Sequence, residues 1–160
     1  MVDGRAVGHV EQSRELAKTV LGDIRDVVSK TRESRVHASA ELQRLALAFP
    51  DLEVDLAVTD RLDTAPRELA EAVVRIAQEA VANAAQHGRA SRVWVSASAD
   101  ETGFRLTVRD DGQGLAGAMV PGNGLVGMRE RLQALGGTVD WDSGPDGGFA
   151  LTAHIPIERI

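Results

Sequence analysis

A glycine-rich stretch at residues 112–128 constrains the fold of this chain more than any other feature. It is the longest run without a charged side chain, and it contains six glycines and one proline in 17 residues. Glycine at this density disfavours a regular helix, so the run is predicted to be a loop and not a membrane-spanning segment. The core must therefore be built from the segments around this loop, in a chain of 160 residues that is long enough for one ordinary domain.

The composition excludes several classes of function. The 18 basic residues against 24 acidic ones give a net charge of −6, which argues against a domain that mainly binds nucleic acid. The absence of cysteine excludes a disulfide scaffold, a thiolate zinc site and a cysteine nucleophile. No signal-peptide pattern is visible at the N-terminus, and no membrane contact is expected from this chain. We therefore expect a cytoplasmic location, whether or not a parent protein is anchored in a membrane.

Residues 10–36 have an amphipathic helical pattern. Val10, Ala17, Ile24 and Thr31 recur every seven residues, and further apolar residues follow three positions later. This stripe is wide enough for a partner helix, but it fits a helix folded onto its own domain as well as one helix of a bundle. We predict a tether and bundle-type helix over residues 1–36 and a separate globular domain over residues 37–160.

The rest of the chain alternates between strand-like and helix-like segments. Strands are predicted where apolar and polar residues alternate, at residues 52–58, 93–97, 104–109, 138–142 and 149–155. Helices are predicted at residues 40–48, from Pro66 to Gly88, and from the end of the glycine-rich loop to Gly136. Hairpins dominate this order, so we expect an α+β, two-layer sandwich with a mixed, mostly antiparallel sheet and helices on one face.

The first candidate site lies on the long predicted helix. Glu79, Asn83 and His87 follow one another at steps of four, so their side chains lie on one side of that helix. A carboxylate can accept a proton or orient a water molecule, and an amide oxygen can ligate a hard cation such as Mg²⁺. A polar outer helix face would show the same pattern, and the spacing alone does not separate the two interpretations.

The second candidate site is the sequence at residues 110–114, directly after a predicted strand. Asp110 is followed closely by Gly112 and Gly114, which let a ligand approach the backbone. A carboxylate in this place suits recognition of a hydrogen-bond donor such as the amino group of a base. An ordinary acidic turn is the alternative.

The third candidate site consists of Gly122, Gly124 and Gly127, which lead into a predicted helix. Glycines before a helix N-terminus leave backbone N–H groups free to bind phosphate oxygens. Their spacing also fits a dinucleotide-binding fingerprint, but that motif needs a strand immediately before the glycines, and the nearest predicted strand ends about 12 residues earlier. A dinucleotide-binding fold is therefore not expected.

Taken in order, the three sites resemble the motifs of the ATP-binding catalytic domain of bacterial sensor histidine kinases, a branch of the GHKL ATPase superfamily. Residues 78–87 resemble its N box, and residues 110–114 resemble its first glycine box. Residues 122–131 resemble the second glycine box in the form used by the nitrate-sensor and desaturase-sensor subfamily. Residues 13–48 are more loosely similar to part of that subfamily's dimerisation domain. The resemblance implies a GHKL-type (Bergerat) ATP-binding catalytic domain over residues 37–160.

The resemblance also implies a role for each site residue. Asn83 would ligate Mg²⁺ through its amide oxygen, and Glu79 would orient the incoming imidazole or a metal-bound water. Asp110 would accept a hydrogen bond from the exocyclic amino group of adenine, with Gly112 and Gly114 allowing close approach. The other nucleotide-binding positions implied are His87, Gly122, Gly124, Leu125, Gly127 and Met128. Among these, the glycines would hinge a lid and present N–H groups to the phosphates, so the implied cofactors are ATP and Mg²⁺.

The activity implied is that of a protein histidine kinase. Its γ-phosphoryl group would pass from ATP to a histidine on a dimerisation domain and then to a response regulator. The family's phosphoacceptor histidine precedes an acidic residue, and none of the four histidines in this chain does. We therefore expect a fragment that lacks the acceptor and does not phosphorylate itself.

Two alternatives within reach of the same motifs stay open. One is an anti-sigma-factor-type serine kinase of the same fold. The other is a nucleotide-binding module without catalytic activity. The second alternative draws support from Gln86, where the family often has a basic residue, and from Phe149, where it usually has a threonine.

Overall fold

The structure is a computed structural model of the chain, and it describes residues 37–114 and 123–157. These two parts contain three α-helices, namely α1 (Ala38–Ala48), α2 (Arg67–Gln86) and α3 (Asn123–Ala134). A short 3₁₀ helix spans Asp60–Thr64. The strands are β1 (Glu53–Val58), β2 (Arg92–Ala99), β3 (Gly103–Asp110), β4 (Thr138–Ser143) and β5 (Phe149–Pro156).

The five strands form one sheet in the order β1-β2-β3-β5-β4. β1 and β2 run parallel, since α2 lies between them in the chain and provides the crossover, and the other three pairs are antiparallel. β3 is the central strand, and its last residue, Asp110, lies between Val93 of β2 and Phe149 of β5. The predicted mixed, mostly antiparallel sheet is confirmed.

One face of the sheet packs against the helices. Along β3 the buried residues Phe104, Leu106 and Val108 alternate with more exposed neighbours, as expected for a strand with one covered face. Helix α2 lies at the centre of the helical layer and buries ten of its residues. Each fully buried aliphatic side chain such as Ile76 stabilises this packing by about 1.5–3 kcal/mol.

The predicted strands and helices are all present in the described residues, and two local features were not predicted. The 3₁₀ helix at Asp60–Thr64 is absent from the sequence-based expectation. Helix α1 begins two residues earlier than predicted, at Ala38, because the carboxylate of Asp63 accepts hydrogen bonds from the backbone N–H and the hydroxyl of Ser39. This carboxylate satisfies donors in the first turn of the helix from a position 24 residues away in the chain.

The predicted tether and bundle-type helix at residues 1–36 lie outside the described residues, so the proposed division at residue 36 stays a prediction. Within residues 37–114 and 123–157, no helix is both long enough and apolar enough to cross a membrane.

Candidate nucleotide-binding site

Asp110 is the one buried polar or charged side chain among the described residues, with 5% of its surface exposed. It is buried because it continues the row of alternate β3 residues that face the helices. Its Oδ1 accepts a hydrogen bond from the backbone N–H of Gly112 at 2.8 Å. Burial raises the pKa of the Asp110 carboxyl, against the opposite effect of hydrogen bonds from the backbone N–H groups of Gly112 and Phe149.

The turn at residues 110–114 is enclosed by two other segments. On one side, the N–H of Gln113 donates to the carbonyl oxygen of Gly88 at 2.7 Å. On the other side, the N–H of Gly148 donates to the carbonyl oxygen of Gly112 at 2.6 Å. A Cβ on Gly112 would overlap the carbonyl oxygen of Gly88, so only glycine fits this close approach. The turn thus joins the C-terminal end of α2 to the β4–β5 hairpin.

Helix α2 brings the first predicted cluster to the same region. It ends at Gln86, and the N–H groups of His87 and Gly88 both donate to the carbonyl oxygen of Asn83, at 2.9 and 3.0 Å. Glu79 and His87 are exposed and Asn83 is half-buried, as expected for one polar side of an amphipathic helix. Within the described residues, the side-chain amide of Asn83 has no hydrogen-bond partner and is available to a ligand.

The first turn of α3 lies against α2. A Cβ on Gly124 would overlap Oε1 of Glu79, so the second glycine motif reaches the carboxylate predicted for the first cluster. Gly127 is half-buried, and a Cβ there would meet no atom within 4 Å in the described structure. Gly122 lies outside the described residues. The unpaired N–H groups of a helix N-terminus suit phosphate oxygens, which fits the predicted use of this segment.

Leu125 and Met128, two positions predicted to bind nucleotide, have core positions in the structure. Leu125 is 7% exposed and Met128 is 1% exposed, and both belong to the cluster of buried side chains. They hold α3 on the sheet through apolar packing, with spacing of one helical turn. The sequence pattern could not separate this packing role from contact with the nucleotide.

The two departures from the family pattern occupy different environments. Gln86 is exposed at the end of α2. Phe149 is half-buried and pairs with Asp110 in the β3–β5 ladder, and its backbone N–H donates a hydrogen bond to the Asp110 carboxylate. This contact is made by the backbone, so it does not depend on the side chain at position 149.

Sequence reasoning did not single out Gly88, Asp111 or Gly148 as site residues. Gly88 and Gly148 hold the turn at residues 110–114 from other parts of the chain through backbone hydrogen bonds. Asp111, within the turn, accepts hydrogen bonds from the backbone N–H groups of Ser91 and Arg92. Gly88 was expected only as the stop of the long helix. Nothing in the sequence pattern indicates which segments meet at a turn, because these partners lie 19 or more residues apart.

The donor set in this region fits Mg²⁺ held mainly by a phosphate ligand. The described residues contain no group of three or more His, Cys, Asp or Glu side chains that could enclose a metal ion. Mg²⁺ is commonly bound through one or two protein oxygens together with phosphates and water. The free amide oxygen of Asn83, on the same helix side as the Glu79 carboxylate, is a suitable ligand of this kind.

Comparison with known proteins identifies the family of this chain. A family model described as "Histidine kinase-, DNA gyrase B-, and HSP90-like ATPase" matches residues 68–159, which is more than half of the chain. The sensor histidine kinase YxjM of Bacillus subtilis (strain 168) is 28% identical over 155 residues, which cover 92% of this chain and 37% of that protein. The nitrate/nitrite sensor protein NarX of Escherichia coli is 29% identical over 144 residues, which cover 79% of this chain and 24% of that protein.

The fold agrees with a solved structure of the same type. The histidine kinase domain from the Erythrobacter litoralis EL346 blue-light activated histidine kinase matches with a TM-score of 0.59 at 26% identity, covering 74% of this chain and 57% of that chain. The chain spans well under half the length of the two curated relatives. With its five-stranded α+β sheet and its buried Asp110 turn, the chain belongs to the histidine kinase-, DNA gyrase B- and HSP90-like ATPase family, as an ATP-binding catalytic domain of the sensor histidine kinase type.

Proposed function

We propose that this domain transfers the γ-phosphoryl group of ATP to a histidine of a dimerisation domain, in the cytoplasm, and that the phosphohistidine then serves a response regulator. The observation that carries the proposal is the buried carboxylate of Asp110. No Lys, Arg or His side chain forms an ion pair with it in the described parts of the chain. A buried carboxylate without a cation is costly, and it is retained where a ligand needs a strong acceptor.

Asp110 is suited to recognise the adenine base. The backbone N–H of Gly112 fixes one carboxylate oxygen, and burial excludes water that would compete for the remaining acceptor capacity. The exocyclic amino group of adenine is a donor that such an acceptor selects. Gly112 and Gly114 would border the base, in a turn so closely packed that a Cβ on Gly112 would overlap the Gly88 carbonyl oxygen and one on Gly114 would overlap the Ser143 hydroxyl.

Asn83 and Glu79 divide the work at the phosphate end of the site. Asn83 would hold Mg²⁺ through its amide oxygen, and the ion, when bound, would neutralise charge on the transferred phosphoryl group. Glu79 is an exposed carboxylate on the same side of α2, next to the first turn of α3. It would orient the incoming imidazole. Phosphoryl transfer depends mainly on positioning and charge neutralisation, so this small set of side chains suffices.

The remaining predicted positions would enclose the phosphates. Gly124 lets the first turn of α3 lie close to Glu79, the unpaired N–H groups of that turn would bind the phosphates, and Gly122 and Gly127 would take part in the same phosphate site. His87 lies one turn beyond Asn83 and would line the same side. None of the four histidines in the chain precedes an acidic residue, so we propose that the acceptor is supplied by another domain.

The test is a transfer assay with ATP labelled at the γ-phosphate and a separately expressed dimerisation domain that carries an acceptor histidine. Acid-labile, alkali-stable label on that domain is expected with Mg²⁺ and not without it. Label on serine of a protein antagonist would instead identify a serine kinase. ATP binding without any transfer would identify a nucleotide-binding module.

The division of labour between Asn83 and Glu79 is tested with single variants. Asn83→Ala is expected to weaken Mg²⁺-dependent ATP binding and transfer together. Glu79→Gln is expected to spare ATP binding and to slow transfer by roughly 10²–10⁴-fold, as for other positioned acid–base groups. Glu68→Gln, in the first turn of the same helix, is the matched control. If Glu79→Gln weakens binding and leaves the transfer rate at saturating ATP intact, its catalytic role is wrong.

A further inference from the structure

Asp111, the neighbour of the base-binding Asp110, faces the other way and holds a different segment. Its Oδ1 accepts hydrogen bonds from the backbone N–H groups of Ser91 and Arg92, both at 2.8 Å. Its own N–H donates to the carbonyl oxygen of Arg92 at 3.2 Å. Three hydrogen bonds thus join this single residue to the start of β2.

The connection between α2 and β2 is therefore attached to the turn at residues 110–114 at both of its ends. Asp111 holds the Ser91 end, and Gln113 holds the Gly88 end through its bond to the Gly88 carbonyl. Between these two attachments, Arg89 has a φ of 50°, a left-handed backbone conformation that residues other than glycine rarely adopt. A strained residue of this kind persists only where its surroundings fix it.

This attachment links the two residues that are proposed to bind opposite ends of the nucleotide. Asp110, one residue before Asp111, would bind the base, whereas Asn83 lies in the last turn of α2 and would bind Mg²⁺ at the phosphates. The carbonyl oxygen of Asn83 accepts the N–H of Gly88, so the attached connection begins directly at the Asn83 turn. The contacts of residues 88–92 with residues 111–113 therefore act together with the packing of α2 to fix the position of the Asn83 turn relative to Asp110.

We propose that Asp111 is a positioning residue of the nucleotide site, which fixes the span between the base-binding carboxylate and the Mg²⁺-binding amide. This inference rests on the proposed function. Asp111 is neither the proposed base acceptor nor the proposed Mg²⁺ ligand. Loss of Asp111 should therefore weaken the binding of ligands that reach both ends of the site at once. The affinity for a ligand that occupies only the base end should not change.

The experiment compares the affinities of adenosine and of ATP with Mg²⁺ for the whole chain, by titration calorimetry. Asp111→Ala is expected to weaken binding of ATP with Mg²⁺ by about tenfold, the order of loss seen when the partner of a ligating group is removed. Adenosine affinity is expected to change by less than about twofold, because Asp110 keeps its own backbone contacts. Asp111→Asn retains an oxygen acceptor and is expected to restore most of the ATP affinity.

Asp100→Ala is the matched control, since Asp100 also accepts two backbone N–H bonds in a turn, at the other end of β3. It is expected to leave both affinities unchanged. Asp111→Glu keeps the charge and moves the carboxylate by one methylene group, so it provides a second test if Asp111→Ala does not fold. It is expected to show the same selective loss for ATP.

The possible results separate this inference from the proposed function. If the unmodified chain binds neither adenosine nor ATP, the proposed function is wrong. If it binds both and Asp111→Ala or Asp111→Glu weakens them equally, or weakens neither, the positioning role of Asp111 is overturned while the nucleotide site stands.

Discussion

The two turns at the ends of β3 use the same local chemistry for different purposes. In the β2–β3 turn, Oδ1 of Asp100 accepts the backbone N–H groups of Thr102 and Gly103 at 2.7 and 3.2 Å. In the turn that follows β3, Oδ1 of Asp110 accepts the N–H of Gly112 at 2.8 Å. Each turn also contains a glycine whose Cβ would overlap a carbonyl oxygen of a neighbouring segment.

Burial distinguishes the two carboxylates. Asp100 is exposed, and hydrogen bonds from Thr102 lower the pKa of its carboxyl, so the charged form stabilises the turn. Asp110 is buried, and burial raises the pKa of its carboxyl, so the charged form opposes folding until a ligand interacts with it. The comparison teaches that the turn sequence alone does not mark a site. The burial of a carboxylate without a cation supports the proposed base-binding role of Asp110.

The largest effects are expected from the two matched glycines. Gly112→Ala and Gly103→Ala should each lower the free energy of unfolding by about 1–3 kcal/mol or more, because each new Cβ overlaps backbone atoms. Only Gly112→Ala should also abolish adenine nucleotide binding at temperatures where the variant is folded. Chemical denaturation and titration calorimetry measure the two effects. Equal nucleotide affinity in the two variants would contradict the functional distinction between the turns.

Asp110→Asn and Asp100→Asn should have opposite effects, the first mainly on nucleotide affinity and the second mainly on stability. Asp110→Asn is expected to weaken nucleotide binding by roughly 1–3 kcal/mol, as for the loss of a hydrogen bond to a charged acceptor. It should not lower the stability of the ligand-free protein at neutral pH, since it removes a buried charge. Asp100→Asn should leave binding unchanged and lower stability slightly. Calorimetry with thermal unfolding tests both, and a large loss of stability in Asp110→Asn would count against a ligand-dependent role.

The same pair should differ in the pH dependence of stability. The pKa of Asp100 is lowered below 3.8, so its contribution is complete above that pH and is lost as the pH falls through the lowered value. The pKa of Asp110 is raised above 3.8, so the folded state loses stability as the pH rises from 3.8 through the raised value. Denaturation midpoints should be measured across acidic pH. In Asp100→Asn the loss of stability at low pH that is due to Asp100 should disappear, and in Asp110→Asn the loss of stability with rising pH that is due to Asp110 should disappear. Identical profiles in both variants would refute the assignment.

The smallest expected effect concerns Gly127, where no described atom lies close to a new Cβ. Gly127→Ala should stabilise the ligand-free protein by up to about 1 kcal/mol, since alanine is the better helix former. If nucleotide phosphates approach this glycine, ATP affinity should fall at the same time. Unchanged ATP affinity together with higher stability would show that position 127 is not part of the phosphate site.

The local patterns predicted most of the fold. The element types were predicted from alternation along β2, β3 and β5 and from the apolar side of α2. These patterns depend only on residues a few positions apart in the chain. The same local logic gave Asp110 at a strand end followed by glycines. The family resemblance predicted the roles of the site residues, and the match over residues 68–159 confirms the family.

Contacts between distant segments account for what could not be predicted. The carboxylate of Asp63 sets the start of α1 from 24 residues away, and no helix-start signal of α1 itself contains it. Leu125 and Met128 lie on a glycine-rich motif yet pack into the core, because the tertiary position of α3 decides which of its sides is covered. Their predicted contact with the nucleotide stays a prediction, because the spacing within a motif does not show which residues face a ligand.

The adjacent carboxylates of Asp110 and Asp111 show which features follow from the sequence and which depend on the tertiary structure. The sequence by itself determined that Asp110 and Asp111 follow a strand, and strand alternation determines that neighbours face opposite sides. The tertiary structure decided that the Asp110 side is covered by the helical layer and that the Asp111 side meets the N–H groups of Ser91 and Arg92. Backbone geometry fixes direction within a few residues, whereas burial and partners depend on segments that only the folded chain brings together.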